Sequence, residues 1–384
     1  MIELGLRAAQ VAKVLDALGE THKTRVRVEI RDRDEKVVGS LTAPSQDVRS
    51  GEVQIDTSAD VTRQLSLIVL DPSRKLKLVP NSPAEAAIFA DNFVSVRRGI
   101  FVEALDDWVD IPVFWGPVTR LERAGEEVRV EALGKESLLR EPHLIWKTMR
   151  FRKGHKIVNA IREVLEACGE TRFALPNLSG TLHHHVSIAK HQQAWNVVNR
   201  FAESLDRQIF YDGLGRARLR RVPQNNVSYV FKVGQTVVSE PQFTYDVSSV
   251  RNVVQVIGAK RQGKHPHHIH HIAKAAKHHP LSGQSLARNG KPRWMVEIVE
   301  NEHIKRGPRA KRIAERMLQH LLAIEVTADF DALPVPMVEE RDLLAVRGDD
   351  WRVEFHLTKA TIPLGPEAPM SIGLLKHVVY AGKR

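Results

Sequence analysis

The chain has 384 residues, of which 42% are apolar and 27% charged, with a formal net charge of +11 and a sequence pI of about 9.7. This length exceeds a single core of about 250–300 residues and predicts two to four domains. The composition is that of a globular protein. It excludes a disordered chain, and no stretch reaches the roughly 18 uninterrupted apolar residues of a spanning helix. One cysteine, Cys168, excludes an intrachain disulfide and a cysteine-based zinc site and fits a reducing cytoplasm.

The N-terminus carries scattered charges and no apolar core segment, so it reads as a short amphipathic helix over 6–18 rather than an export signal. From 24 to 134 the pattern is β: TRVRVEIRD (24–32), KVVGSL (36–41), EVQIDTSAD (52–60), RQLSLIVLD (63–71), VSVRRGIFVEA (94–104), WVDIPVFWGPVTRLERA (108–124) and EVRVEALG (127–134). Period-2 alternation marks strands with one wet and one dry face, and a series of them reads as a sandwich or barrel. Asp106-Asp107 and Gly116-Pro117 predict breaks, and 72–92 predicts a polar excursion on a rim.

The period changes near 150. Apolar residues at 157, 158, 161, 164, 165 and 168 share one face of a helix, and Trp195, Val198, Ala202 and Leu205 repeat the spacing. RQIFYDGLGRARLRRV then reads as a hairpin in which Asp212-Gly213 supplies a turn with positive φ. Strands return over 227–260, a helix begins at Pro308 and runs to about 324, and strands close the chain. The organisation predicted is an N-terminal helix (1–20), a first β domain (21–149), an α/β insertion (150–224) and a second β domain (225–384).

No HExxH, phosphate-binding loop or nucleophile elbow is present. The pairs Asp106-Asp107, Glu126-Glu127, Glu339-Glu340 and Asp349-Asp350 fall between strands and read as solvated turn residues. Cys168 and the tryptophans Trp108, Trp115, Trp195 and Trp351 read as core. Net positive charge favours polyanion contact, but the basic residues are spread along the chain, densest at RARLRR (216–221) and RGPRAKRIAER (306–316).

The histidines carry the one sharp chemical possibility. Seven of 18 lie in 264–280, at 265, 267, 268, 270, 271, 278 and 279. On a helix His267 and His271, or His268 and His271, would share a face; on a strand His183 and His185 would. Imidazole binds zinc, copper, nickel and iron. Yet no Asp or Glu lies between Gly263 and Arg293, and Lys264, Lys274 and Lys277 disfavour a cation. The tract therefore reads as a solvent-facing loop. No catalytic, cofactor-binding or metal residue is assigned.

Several stretches, in order, resemble the tail hub proteins of tailed bacteriophages, the family of baseplate hubs and of minor tail proteins of long-tailed phages. They are ALGETHKTRVRVEI (17–30), DVRSGEVQIDTSADVTRQLSLIVLD (47–71), VRRGIFVEA with VFWGPVTRLE, QQAWNVVNRFAESLDRQIFYDGLGRARLR, RNVVQVIGA, PRAKRIAERML and IPLGPEAPMSIGLLK. The histidine tract departs from the family, whose connection there is shorter. The resemblance implies a mainly β fold with an α+β insertion, in which two tube-like barrel or sandwich domains flank a small α/β module. It implies a structural, non-enzymatic virion protein without cofactor: a homo-oligomeric ring, typically a trimer, at the tail tip. Its partners would be the distal tail protein, the tape measure protein and other tip proteins, with genome DNA passing transiently and no membrane insertion. Assembly would take place in the host cytoplasm. The alternatives are a distal tail protein ring, a metal-dependent tail hydrolase using the histidines, and a nucleic-acid-binding protein.

Overall fold

Alternation sets the first strands. The computed structural model describes residues 2, 6–20, 22–42, 48–72, 92–140, 145, 147–261, 267–300, 304, 306–365 and 368–378. Helix α1 (Ala8–Leu18) precedes β1 (Thr24–Arg31), which buries Val26, Val28 and Ile30 and leaves Arg25, Arg27 and Glu29 less covered. Next come β2 (Val37–Thr42), β3 (Val48–Asp56), β4 (Arg63–Leu70), β5 (Phe93–Val102), β6 (Asp107–Ala124) and β7 (Glu127–Leu133). They pair antiparallel in the order β3-β4-β7-β6-β5-β1-β2. The rim excursion expected over 72–92 lies, from 73 to 91, outside the described residues.

The break expected at Gly116-Pro117 is a corner instead. β6 runs through it and changes partner: residues 107–117 pair with β5, and those from 118 pair with β7. Proline has no N–H for a ladder, so it suits the point where the strand leaves one sheet for the other. Glycine is required beside it, because a Cβ on Gly116 would lie 1.9 Å from the Leu133 carbonyl oxygen.

The insertion contains α2 (Glu136–Arg140), β8 (Met149–Phe151), α3 (Ile157–Ala167), β9 (Phe173–Ala174), β10 (Val186–Ile188), α4 (Ala194–Ser204), β11 (Gln208–Tyr211) and β12 (Ala217–Arg220). The apolar faces of α3 and α4 meet in one cluster with Ile209, Tyr211 and Leu219 from the hairpin. The positive φ in that hairpin falls at Gly215 (66°), not Gly213. The Asp212 carboxylate explains the difference: it accepts from the Leu214 and Arg216 amides and folds the longer turn over itself.

β13 (Tyr229–Lys232) is followed by β14 (Gln242–Asp246), β15 (Val253–Arg261), β16 (His267–Lys274), β17 (Val296–Glu300) and α5 (Gly307–Leu321). β18 (Ile324–Ala332), β19 (Leu343–Arg347), β20 (Arg352–Pro363) and β21 (Met370–Val378) end the described chain. The protein is mainly β with an α+β insertion.

The chain separates into two compact units. The larger comprises Met1–Pro241 and Asp329–Leu374. Within it β20 pairs with β3, so late strands share a sheet with early ones, while β19 joins β20 to β13. Arg98 of β5 is 2% exposed and donates to the Pro363 carbonyl at 2.8 Å. β5 and β20 are not neighbours in the sheet order, so this bond crosses the interior and shows the strands curling around a common core. Burial pulls the Arg98 pKa down to about 10.

The smaller unit comprises Gln242–Ala328 and Leu375–Arg384. Its sheet has the order β16-β15-β17, with β15–β16 antiparallel and β15–β17 parallel. Val254, Val256, Ile269 and Ala273 face Ala310, Ala314 and Leu318 of α5. The small alanines let helix and sheet approach closely.

Candidate functional site

The densest buried chemistry lies in the larger unit, where the insertion meets the curled sheet. Lys135, 3% exposed, donates to Glu35 at 2.5 Å and to Glu170 at 2.9 Å, tying the β1–β2 turn to the end of α3. Trp115 on β6 is covered by two guanidinium groups, Arg31 at 4.1 Å and Arg172 at 3.9 Å from the ring centroid. Cation–π contacts of this kind gain strength when desolvated.

Beside them sit Glu136, Glu339, Glu340 and Asp342, all between 0% and 2% exposed. The sequence reading places Glu339-Glu340 in a solvated turn; both are buried. The cause is the basic run of β12. Arg220 donates to Asp342 Oδ1 at 2.9 Å and also to the Glu340 carbonyl, and its guanidinium lies 4.6 Å over Phe210. Arg218 lies 3.6 Å and Arg220 3.7 Å from Glu339. Arg63, also buried, donates to the Val113 carbonyl at 2.9 Å. RARLRR is thus largely turned inward onto carboxylates: Arg216 pairs with Asp212 at 2.8 Å, and Arg218 and Arg220 with the 339–342 segment. It is not an exposed polyanion patch.

Burial pushes the Glu136 carboxyl up to about 7 and the Glu340 carboxyl up to about 8, the Glu136 charge adding to the latter. Glu339 is raised as well by burial, against the pull of Arg63 and Arg220. Near neutral pH the cluster holds protons that exposed carboxyls would have released. A polar cleft of about 570 Å³ opens alongside, between Asp60, Asn199 and Glu203, Gln208 and Arg341. Arg140 closes on Asp60 across it at 2.6 Å.

The remaining sequence candidates are scattered. His183 and His185 are exposed but precede β10 rather than sharing a strand. Over 264–280 the expected loop is partly replaced by β16, with residues 262–266 outside the described set. The strand forms because Ile269 and Ala273 fill the α5 side while β15 offers its edge. His268 and His270 then lie together on the open face, and His271 on the other. His279 is buried, its Nδ1 accepting from the Leu281 amide. Among the described residues no group of three or more His, Cys, Asp or Glu side chains is arranged to hold a metal ion. Cys168 is half-buried, and burial pushes its thiol up to about 11. Trp115 and Trp195 are core, but Trp351 is 37% exposed. Among the described residues no helix is long and apolar enough to cross a membrane.

No family profile matches this sequence, and no curated protein matches it. Solved structures do. The 43 kDa tail protein of prophage MuSo2 from Shewanella oneidensis superposes with a TM-score of 0.62 at 10% identity, covering 92% of this chain and 98% of that one. The tail protein from Neisseria meningitidis MC58 gives 0.60 at 8% identity, covering 92% and 96%. The fold is that of phage tail proteins. The tail-protein fold also extends to a chain of the Francisella PdpA–VgrG complex, with a TM-score of 0.52 at 10% identity over 94% of this chain and 55% of that one. At such identities the likeness resides in architecture.

Proposed function

We propose that this protein is a structural component of a phage tail. The observation that carries the reading is the likeness along nearly the whole length of two tail proteins, 98% and 96% of their chains. The likeness runs over 92% of this chain and is not confined to one of its two units. Within that reading, the chain forms the hub ring at the tail tip, joining the tube to the distal tip apparatus and enclosing part of the DNA conduit. Three copies form the ring, and the β regions 21–149 and 225–384 each supply a tube-like domain to its wall. The distal tail protein, the tape measure protein and other tip proteins are its neighbours.

The ion pairs that join the insertion to the sheet support a structural role. Asp212, Glu339 and Asp342 meet arginines of the 216–221 basic run, which is largely turned inward onto them. The test is localisation in assembled virions: cryo-electron microscopy, or gold-labelled antibody against this chain, is expected to find it confined to the tail end. Labelling along the whole tail, or absence from virions, would overturn the reading.

A further inference from the structure

The strand β16 changes what the histidine tract can do. Alternate residues of a strand share a face at about 6.6 Å spacing, and β16 presents His268 and His270 side by side on the face away from α5. Both rings are engaged by the backbone through Nδ1. His268 Nδ1 lies 3.1 Å from the Gly258 carbonyl, and His270 Nδ1 lies 3.4 Å from the carbonyl of His268 itself. A carbonyl can only accept, so in the neutral imidazoles these contacts select the tautomer with the proton on Nδ1 and the lone pair on Nε2. No hydrogen bond to either Nε2 occurs among the described residues. Protonation of the far nitrogen against a carbonyl is the arrangement that orients a metal-bound imidazole and raises its basicity. The His270 contact runs back along the strand, so its ring leans toward His268.

The acceptor for His268 is itself fixed. Gly258 sits where the β15–β16 register shifts, and a Cβ there would lie 2.4 Å from the Ile304 carbonyl oxygen. The irregularity brings the Gly258 carbonyl to the imidazole instead of to the opposing strand.

We propose that His268 and His270 form a two-imidazole site for a divalent transition cation of the zinc type, with water completing the coordination. The surrounding charges modulate it without abolishing it. Lys260 stands opposite His268, and Lys274 lies on the same face but turns toward the Trp294 ring, 5.0 Å from its centroid. Glu300 occupies the same cross-strand row as His270, two strands away at about 10 Å, which places it as a distant attractor and not a ligand. The inference is independent of the tail-hub reading.

The test is calorimetric titration of the untagged full chain with Zn²⁺. Binding of one equivalent per chain is expected at pH 7.5. His268→Ala and His270→Ala should each weaken binding at least about tenfold, with unchanged circular dichroism. The exposed pair control, His183→Ala with His185→Ala, should bind as the parent does. No Zn²⁺ uptake by the parent, or equal uptake by the His268 and His270 variants, would overturn the proposal.

Discussion

The junction in the larger unit and the outer face of β16 are both crowded with titratable groups, and they use them in opposite ways. At the junction, buried acids and guanidinium groups are packed together, Glu339 and Asp342 against Arg218 and Arg220, while Glu136 and Glu340 hold protons through burial. On β16, imidazoles are held by the backbone at one nitrogen and open at the other. Chemical density along a sequence therefore says little about function until burial and partner are known: the most basic run of the chain is structural, and the most histidine-rich run is available.

The largest effect should follow from breaking the junction. Arg220→Ala removes the 2.9 Å partner of Asp342 and leaves Glu339 with Arg218, and removing one partner of a buried pair costs about 3 kcal/mol. Denaturant unfolding should show it as a lowered midpoint with an unchanged slope. In the smaller unit the contact between α5 and the sheet is one of packing. Leu318→Ala on α5 should cost about 2 kcal/mol through the cavity it leaves, measured the same way.

These two sites also differ in how visible they were. Strands β1 to β7 were legible because alternation survives in a one-faced sheet, and α3, α4 and α5 because their apolar residues repeat at helical spacing. β16 was not, because imidazole counts as polar while the strand is held by only Ile269 and Ala273 on its inner side. The burial of Glu339-Glu340 was invisible for another reason. Its arginine partner on β12 lies about 120 residues away, and no local pattern marks a carboxylate that will meet a distant guanidinium. The tail-type architecture was readable in the order of elements; the network that fixes the insertion was not.

A third expectation concerns pH and touches the junction alone. Glu136 and Glu340 hold protons in the folded chain up to about 7 and about 8, against an unfolded value of 4.5. The folded state therefore binds more protons across that interval. Their contribution is fully present below 4.5, declines as pH rises toward 8, and levels off above it. The double variant Glu136→Gln with Glu340→Gln should flatten the decline in unfolding midpoint between pH 5 and 8 relative to the parent. An unchanged slope would show that these carboxyls are already ionised when folded.

The smallest effect belongs to β16. Because His268 and His270 face outward, His268→Ala and His270→Ala should leave metal-free stability within about 0.5 kcal/mol of the parent, measured by thermal melting. A larger loss would mean that the imidazoles support the sheet.

The central claim, a ring-forming tail hub, is tested most directly by the symmetry of the purified full chain. Native mass measurement with single-particle electron microscopy should show closed three-fold rings. A stable monomer at micromolar concentration, or rings of another order, would contradict the account.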